Sequence, residues 1–295
     1  MRAAPRIIGV EAIPLAIPGQ RTFRISEGAT RTHVSVVVRI RTETQALEGI
    51  GEIVSAPPGK PEEFLEEMVG AVRRYVAPAL VGVAASERTI ATRRLEAVLK
   101  GRIWTKAAVN NALWDLQGKL LGVPVTDLLG GRMSDRVPVI APVIGVNNPE
   151  EMASEAAVHV AAGFDTLKIK VGETMERDVE RVRAVREAAG ARIRLRVDAN
   201  DHYWPAEAIR FIRAIERYGP EHVEQPLPRH DLPGMAEVRR HVGVPLMTDD
   251  AVATPHDAMT VARLGAADRV KVKVTKHGLD GARLIVGMME AAGIR

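Results

Sequence analysis

The chain has 295 residues, of which 46% are hydrophobic and 26% charged, enough to build one large domain or two of ordinary size around a real core. It contains no cysteine, which excludes disulfides and thiolate metal sites, and only 3% aromatics, so the core must rest on Val, Ile, Leu, Ala and Met. The formal net charge is +4 and the pI about 9.5. The basic residues nevertheless alternate with glutamates, as at Arg177, Glu180, Arg181, Arg183 and Glu187, a pattern that reads as a solvated helix face and not a nucleic-acid footprint.

No apolar run approaches the ~20 residues of a membrane span. Residues 7–13 are interrupted by Glu11 and followed by Pro14, which fits a first strand better than a signal peptide. The expectation is a cytoplasmic protein with no nucleic-acid or membrane partner.

The first 131 residues read as an α+β domain. Strands are expected at 7–13, 33–40 and 48–53, the middle one carrying Val34, Val36 and Val38, and helices at 62–76, 87–99 and 105–121. Between the first two strands, residues 18–32 read as a long polar loop with Arg21, Arg24, Glu27 and Arg31, of the kind that often binds substrate. Gly130-Gly131-Arg132 marks a boundary, and residues 132–295 form the second domain.

From there short strands and helices alternate. Strands are expected at 137–144, 165–172, 193–197, 222–223, 245–247 and 269–274. Helices fall between them at 150–162, 173–189, 205–218, 235–241 and 255–264, with a last one at 279–292. This period predicts a parallel α/β sheet, doubly wound or closed into a barrel. Glu187-Ala188-Ala189-Gly190 leads into a strand. The same four letters at 290–293 are followed only by Ile294 and Arg295, so the barrel is expected to lack its last two βα units.

The chemistry gathers at the strand ends. In Leu167-Lys168-Ile169-Lys170-Val171 the two lysines share one face of a strand and would place two ammoniums toward the interior, where charge is costly. Later strands end in Asp198, Glu224 and Asp249, and Lys273 follows on the next. From Lys170 the intervals are 28, 26, 25 and 24 residues, each about one βα unit, so the five residues converge at the C-terminal rim of a parallel barrel. One such aspartate would be read as a helix cap; three in phase, flanked by lysines, form a hard oxygen site suited to Mg²⁺, with Mn²⁺ as the second choice. A substrate carboxylate held there would lie between Lys170 and Lys273, and the metal would stabilise the enolate left by loss of the α-proton. A lysine acts as base only when its amine is neutral; Lys168, a like charge on the same face, is placed to favour that at Lys170. Spacing leaves Lys271 and Lys276 open as rivals to Lys273.

These motifs, Lys168-Ile169-Lys170, Asp198-Ala199-Asn200, Glu224-Gln225-Pro226, Asp249-Asp250 and Lys273-Val274-Thr275-Lys276-His277-Gly278, resemble the muconate lactonizing enzyme subgroup of the enolase superfamily. Residues 107–119 and Leu128-Leu129-Gly130-Gly131-Arg132 resemble the end of that family's capping domain, so the likeness spans the chain. It implies an α+β capping domain followed by a modified TIM-type barrel, with Asp198, Glu224 and Asp249 as Mg²⁺ ligands. It also implies Lys170 and Lys273 as the acid/base pair, Lys168 tuning Lys170, and Asn200 and Asp250 supporting them from behind. A glutamate more often follows the third ligand in the family, so Asp250 is a departure.

The expected activity is therefore that of an isomerase acting on a small-molecule carboxylate, a racemase or epimerase of an amino-acid derivative, by a homo-oligomer. A muconate-type cycloisomerase is the alternative within the family. Outside it stand a Schiff-base aldolase using Lys170 or Lys273, and an inactive fragment or scaffold.

Overall fold

Three strands open the chain in the computed structural model, which describes residues 4–25, 28–54 and 63–295: β1 (Ile7–Ile25), β2 (Gly28–Thr42) and β3 (Glu48–Val54), in the order β1-β2-β3. The expected loop at 18–32 is largely extended backbone, since β1 runs on to Ile25 and β2 begins at Gly28. Ser26 and Glu27, and the side chains of residues 20–30, lie outside the described residues. Period-two alternation of apolar and polar residues is absent from this polar stretch, so the sequence pattern does not report its strands.

The helices α1 (Leu65–Ala71), α2 (Ala77–Leu80), α3 (Arg88–Val98), α4 (Ile103–Leu121) and α5 (Val125–Leu128) follow. A π-helical turn at Val72–Val76 joins the first two. The long helix α4 packs on β3, and the contact is made through backbone. A Cβ on Gly49 would stand 2.1 Å from the Ala112 carbonyl oxygen, and one on Gly51 2.1 Å from that of Ala108. Only glycine lets the helix approach so closely. The N-terminus of α4 is capped from a distance: Glu63 accepts from the backbone N–H of Trp104 at 3.0 Å and from the Thr105 hydroxyl. These contacts enclose a core of Val36, Val38, Ile40, Ile53, Leu95 and Leu116.

Beyond α6 (Pro149–Ala161), strands and helices alternate: β4 (Thr166–Lys170), α7 (Met175–Ala189), β5 (Arg194–Asp198), α8 (Pro205–Ile215), β6 (His222–Glu224), α9 (Leu232–His241), β7 (Leu246–Thr248), α10 (Pro255–Leu264), β8 (Arg269–Val270) and α11 (Val274–Ala291). The strands form one parallel sheet in the order β4-β5-β6-β7-β8. This is the α+β unit followed by a parallel α/β unit that the sequence predicts.

The lysine strand is trimmed at its ends to Thr166–Lys170, and two other strands fall far short of their predicted length. Residues 137–144 make a single bridge, Ile144 with Ile169, and hydrogen bonds from Ala141 and Ile144 to the Thr166 and Lys168 carbonyls. Pro138 and Pro142 lack the N–H groups a full ladder needs. The strand predicted at 269–274 stops at Val270, since its neighbour β7 ends at Thr248. Lys271 donates the last bond to Thr248, and Lys273 already accepts from the N–H groups of Lys276 and His277 at 2.9 Å. Lys273 thus begins a helix and does not sit in a strand.

The chain forms two compact units: Met1–Gln20 with Arg31–Asp135 and Val272–Leu284, and Arg21–Thr30 with Arg136–Lys271 and Ile285–Arg295. Among the described residues no helix is long and apolar enough to cross a membrane.

Candidate active site

Every residue of β4 is buried, its two lysines included. Pairing with β5 sets Lys170 opposite Asp198, and pairing with β6 sets Asp198 opposite Glu224. Asp249 follows directly on β7. The ammonium of Lys168 donates to Glu224 Oε1 and Oε2 at 2.8 and 2.7 Å and lies 2.7 Å from Asp198 Oδ2. Lys170 donates to the same Oδ2 at 2.7 Å and to Asn200 Oδ1 at 2.5 Å. Lys271 joins Glu224 Oε1 at 2.7 Å to Asp249 Oδ2 at 3.4 Å.

Three carboxylates and three ammoniums thus balance within a desolvated cluster. Burial raises the Asp198 carboxyl, but Lys170 and Lys168 outweigh it and hold the group well below the ordinary aspartate range. Burial and the neighbouring Asp198 push Glu224 up against the pull of Lys168 and Lys271. Burial lowers Lys168, as do Lys271 and Lys170, and these effects prevail over Asp198 and Glu224. Burial acts downward on Lys271 too, but Glu224 and Asp249 drive it above the lysine range.

Two residues hold the strand ends in left-handed backbone: Asn200 at φ +44° and Gln225 at φ +40°. Asparagine tolerates that region and its own N–H returns to Asp198 Oδ1 at 3.1 Å. Gln225 is a poorer fit, costing on the order of 1–3 kcal/mol. Its amide offsets this by accepting from the backbone N–H of Asp249 at 2.9 Å and of Ala251 at 3.3 Å. It therefore fixes the positions of Glu224 and Asp249 together. Asp250 lies 3.7 Å from Arg229, which also donates to Asp201.

Several participants carried no sequence signal. Arg181, read as solvated, is buried: it pairs with Asp178 at 2.6 Å and donates to the Asn147 carbonyl at 2.7 Å. Asp178 in turn accepts from the N–H groups of Gly172 and Glu173 and from the Tyr203 hydroxyl at 2.5 Å. Burial and Asp178 both raise the Tyr203 phenol above its ordinary range. This network fastens the turn after Lys170 to the turn after Asp198. His222 is buried against Arg269, which donates to its Nδ1 at 2.9 Å. Burial and the charges of Arg269 and Arg196 lower it to about 3, so it stays neutral.

The donor set suits a hard divalent cation: Asp198, Glu224 and Asp249 offer carboxylate oxygens only, with no imidazole or sulfur. The ammoniums of Lys168 and Lys271 bridge these carboxylates. Among the described residues no three His, Asp or Glu side chains are grouped closely enough to hold a metal ion.

A parallel α/β unit with buried lysines and acids at its strand ends, preceded by an α+β unit, defines the enolase-type class of enzymes. Residues 8–130 match the mandelate racemase / muconate lactonizing enzyme N-terminal domain, and residues 151–295 the enolase C-terminal domain-like family. The chain is 35% identical to the L-Ala-D/L-Glu epimerase of Bacillus subtilis, over 98% of this chain and 79% of that protein. A substrate-liganded structure of that enzyme superposes with a TM-score of 0.93 at 33% identity, covering 98% of this chain and 81% of the other. Muconate cycloisomerase 1 of Rhodococcus opacus is 34% identical over 98% of this chain and 78% of its own length. The dipeptide epimerase of Cytophaga hutchinsonii, solved with Mg and D-Ala-L-Val, gives a TM-score of 0.92 at 30% identity, over 97% of this chain and 77% of that one. The chain belongs to the mandelate racemase / muconate lactonizing enzyme family of the enolase superfamily.

Proposed function

We propose that the protein racemises or epimerises an amino-acid derivative, a dipeptide or N-acylated amino acid, by removing and returning the proton α to its carboxylate. The observation that carries this reading is the buried Lys170 held at 2.7 Å from Asp198 beside Lys168. An amine so placed is fixed in direction and screened from water, as a base for a weakly acidic C–H must be. Asn200 orients it from the other side.

Asp198, Glu224 and Asp249 are proposed as the ligands of Mg²⁺, with Mn²⁺ able to replace it. Bound there, the cation supplies positive charge to the substrate carboxylate as negative charge develops on it. Lys170 takes the α-proton from one face, and Lys273 returns a proton to the other and reverses the roles for the opposite enantiomer. Lys168 keeps a second positive charge beside Lys170. Asp250, through Arg229, stiffens the turn after Asp249. In this reading the protein is a homo-oligomeric cytoplasmic enzyme that meets neither nucleic acid nor membrane.

The likeness to muconate cycloisomerase 1 supports a second reading, cycloisomerisation, in which the same proton site serves a lactone-forming reaction. One experiment separates the two. Dipeptides, N-acyl amino acids and muconates are incubated with the protein and Mg²⁺ in D₂O, and deuterium at Cα is followed by mass spectrometry. Uptake with inversion on the amino-acid derivatives is expected. Turnover of muconates alone would transfer the assignment to cycloisomerisation.

A further inference from the structure

Lys273 stands on a turn gripped by α4. The Asn111 side chain donates to the Val274 carbonyl at 3.0 Å and accepts from the N–H of Leu279 at 3.1 Å. The neighbouring Asn110 donates to Asp280 Oδ2 at 2.6 Å and accepts from the N–H of Asp280 at 3.1 Å. Each amide is used at both ends on the same short segment. Asp280 is held further by Arg88 at 2.6 Å and by Trp114 Nε1 at 3.1 Å, with the Arg88 guanidinium 3.8 Å above the Trp114 ring.

The turn itself is built for this grip. Gly278 has φ +63° within α11, and a Cβ there would come within 2.7 Å of Asn110 Oδ1. Upstream, the backbone N–H of Lys273 donates to His277 Nδ1 at 3.2 Å, and its carbonyl accepts from Lys276 and His277. The segment Val272–Leu284 accordingly packs with the N-terminal unit, while Lys271, one residue earlier, packs with the parallel sheet.

We infer that Asn110 and Asn111 are positioning residues for Lys273, so that α4 sets where the second of the two lysines acts. This rests on the two-lysine reading above and adds to it the residues that aim one lysine without aiming the other. Lys170 is placed by Asp198 and Asn200, so disturbing the asparagine clamp disturbs one proton transfer selectively.

The test is Asn111→Asp, which keeps the shape and the acceptor but sets an acceptor against the Val274 carbonyl. The probes are the two Cα epimers of an Ala-Glu dipeptide with Mg²⁺ in D₂O, read for deuterium at the epimerising carbon, beside Lys273→Ala. Hydrogen exchange of the peptide over 272–280 is measured on the same samples. The expected result is at least a tenfold loss of exchange for the epimer that Lys273→Ala also loses. The other epimer stays within twofold, and exchange at 272–280 quickens while that at 166–170 is unchanged. An equal loss for both epimers, or none for either, overturns the inference while leaving the two-lysine reading in place. If the parent exchanges neither epimer, that reading fails for dipeptides, and unchanged hydrogen exchange at 272–280 then overturns the clamp on its own.

Discussion

Lys168 and Lys170 reach the same oxygen, Asp198 Oδ2, each at 2.7 Å. One acid thus holds two ammoniums that would otherwise repel each other across one strand face. The arrangement keeps Lys170 pointed and leaves Lys168 tied to Glu224 as well. Loss of Lys170 should therefore remove a proton acceptor while Lys168 still pairs with Asp198 and Glu224. Lys170→Ala is expected to lower racemisation by roughly 10²–10⁴-fold, the usual worth of a positioned acid or base. The fold should persist, with the thermal midpoint lowered by the buried carboxylate charge that Lys170 no longer offsets. Polarimetry beside a thermal melt checks both, and retained racemisation would remove Lys170 from the mechanism.

Glu224 is the pivot of the carboxylate set, touching both Lys168 and Lys271. Glu224→Gln preserves its shape and removes one negative charge. Mn²⁺ affinity, titrated by electron paramagnetic resonance, should weaken by more than the roughly 10–100-fold that residues behind a ligand are worth. Binding as tight as the parent's would show that another group supplies the ligand.

Tyr203 donates to a buried aspartate, Asp178, at 2.5 Å. Tyr203→Phe should cost about 1.5–3 kcal/mol, the range for hydrogen bonds to charged groups. Its pH dependence has a definite sign. The folded phenol is raised above its unfolded value, so its contribution is complete below about pH 10 and declines as pH rises above that. The stability gap between parent and variant should narrow in alkali, as urea unfolding at pH 8 and pH 11 would measure. A gap that widens contradicts the assignment.

Gly51 meets α4 through backbone. A methyl group there would lie 2.1 Å from the Ala108 carbonyl oxygen, and neither partner can move without shifting the helix. Gly51→Ala should cost at least the ~1–3 kcal/mol of overpacking. Gly70→Ala, with open space around it, serves as the control, and equal melting of the two variants would refute the contact.

The cluster was legible in the sequence because a parallel sheet repeats one βα unit at nearly constant length, so a charge at each strand end falls at a regular interval. The strand ends at Asp198 and Glu224 are where that spacing puts them. What the sequence hid depended on partners far along the chain. Arg181 looks like any helix-surface arginine, and only Asp178, Glu173 and the Asn147 carbonyl make its burial possible. Lys273 looks like the next member of a period-two strand, yet β7 has ended by that level and the chain turns into a helix. The extended backbone of 18–25 and 28–32 has no such signal, because a polar stretch carries no hydrophobic period.

The even count of ammoniums and carboxylates around β4 also constrains how such a site can be lost in evolution. Removing Lys168 alone leaves three carboxylates to two ammoniums, and removing Glu224 alone leaves three ammoniums to two carboxylates, each an uncompensated buried charge even though Lys271 and Asp198 still pair with the survivors. Decay of the activity should therefore proceed through paired replacements, which leave no orphan behind. Lys168→Met with Glu224→Leu should be more stable than either single variant, though inactive. Chemical unfolding of the three proteins would show it, and a double variant no more stable than the singles would mean that the charges are screened independently. Lineages that abandoned catalysis would then keep the barrel and carry apolar residues at both positions together.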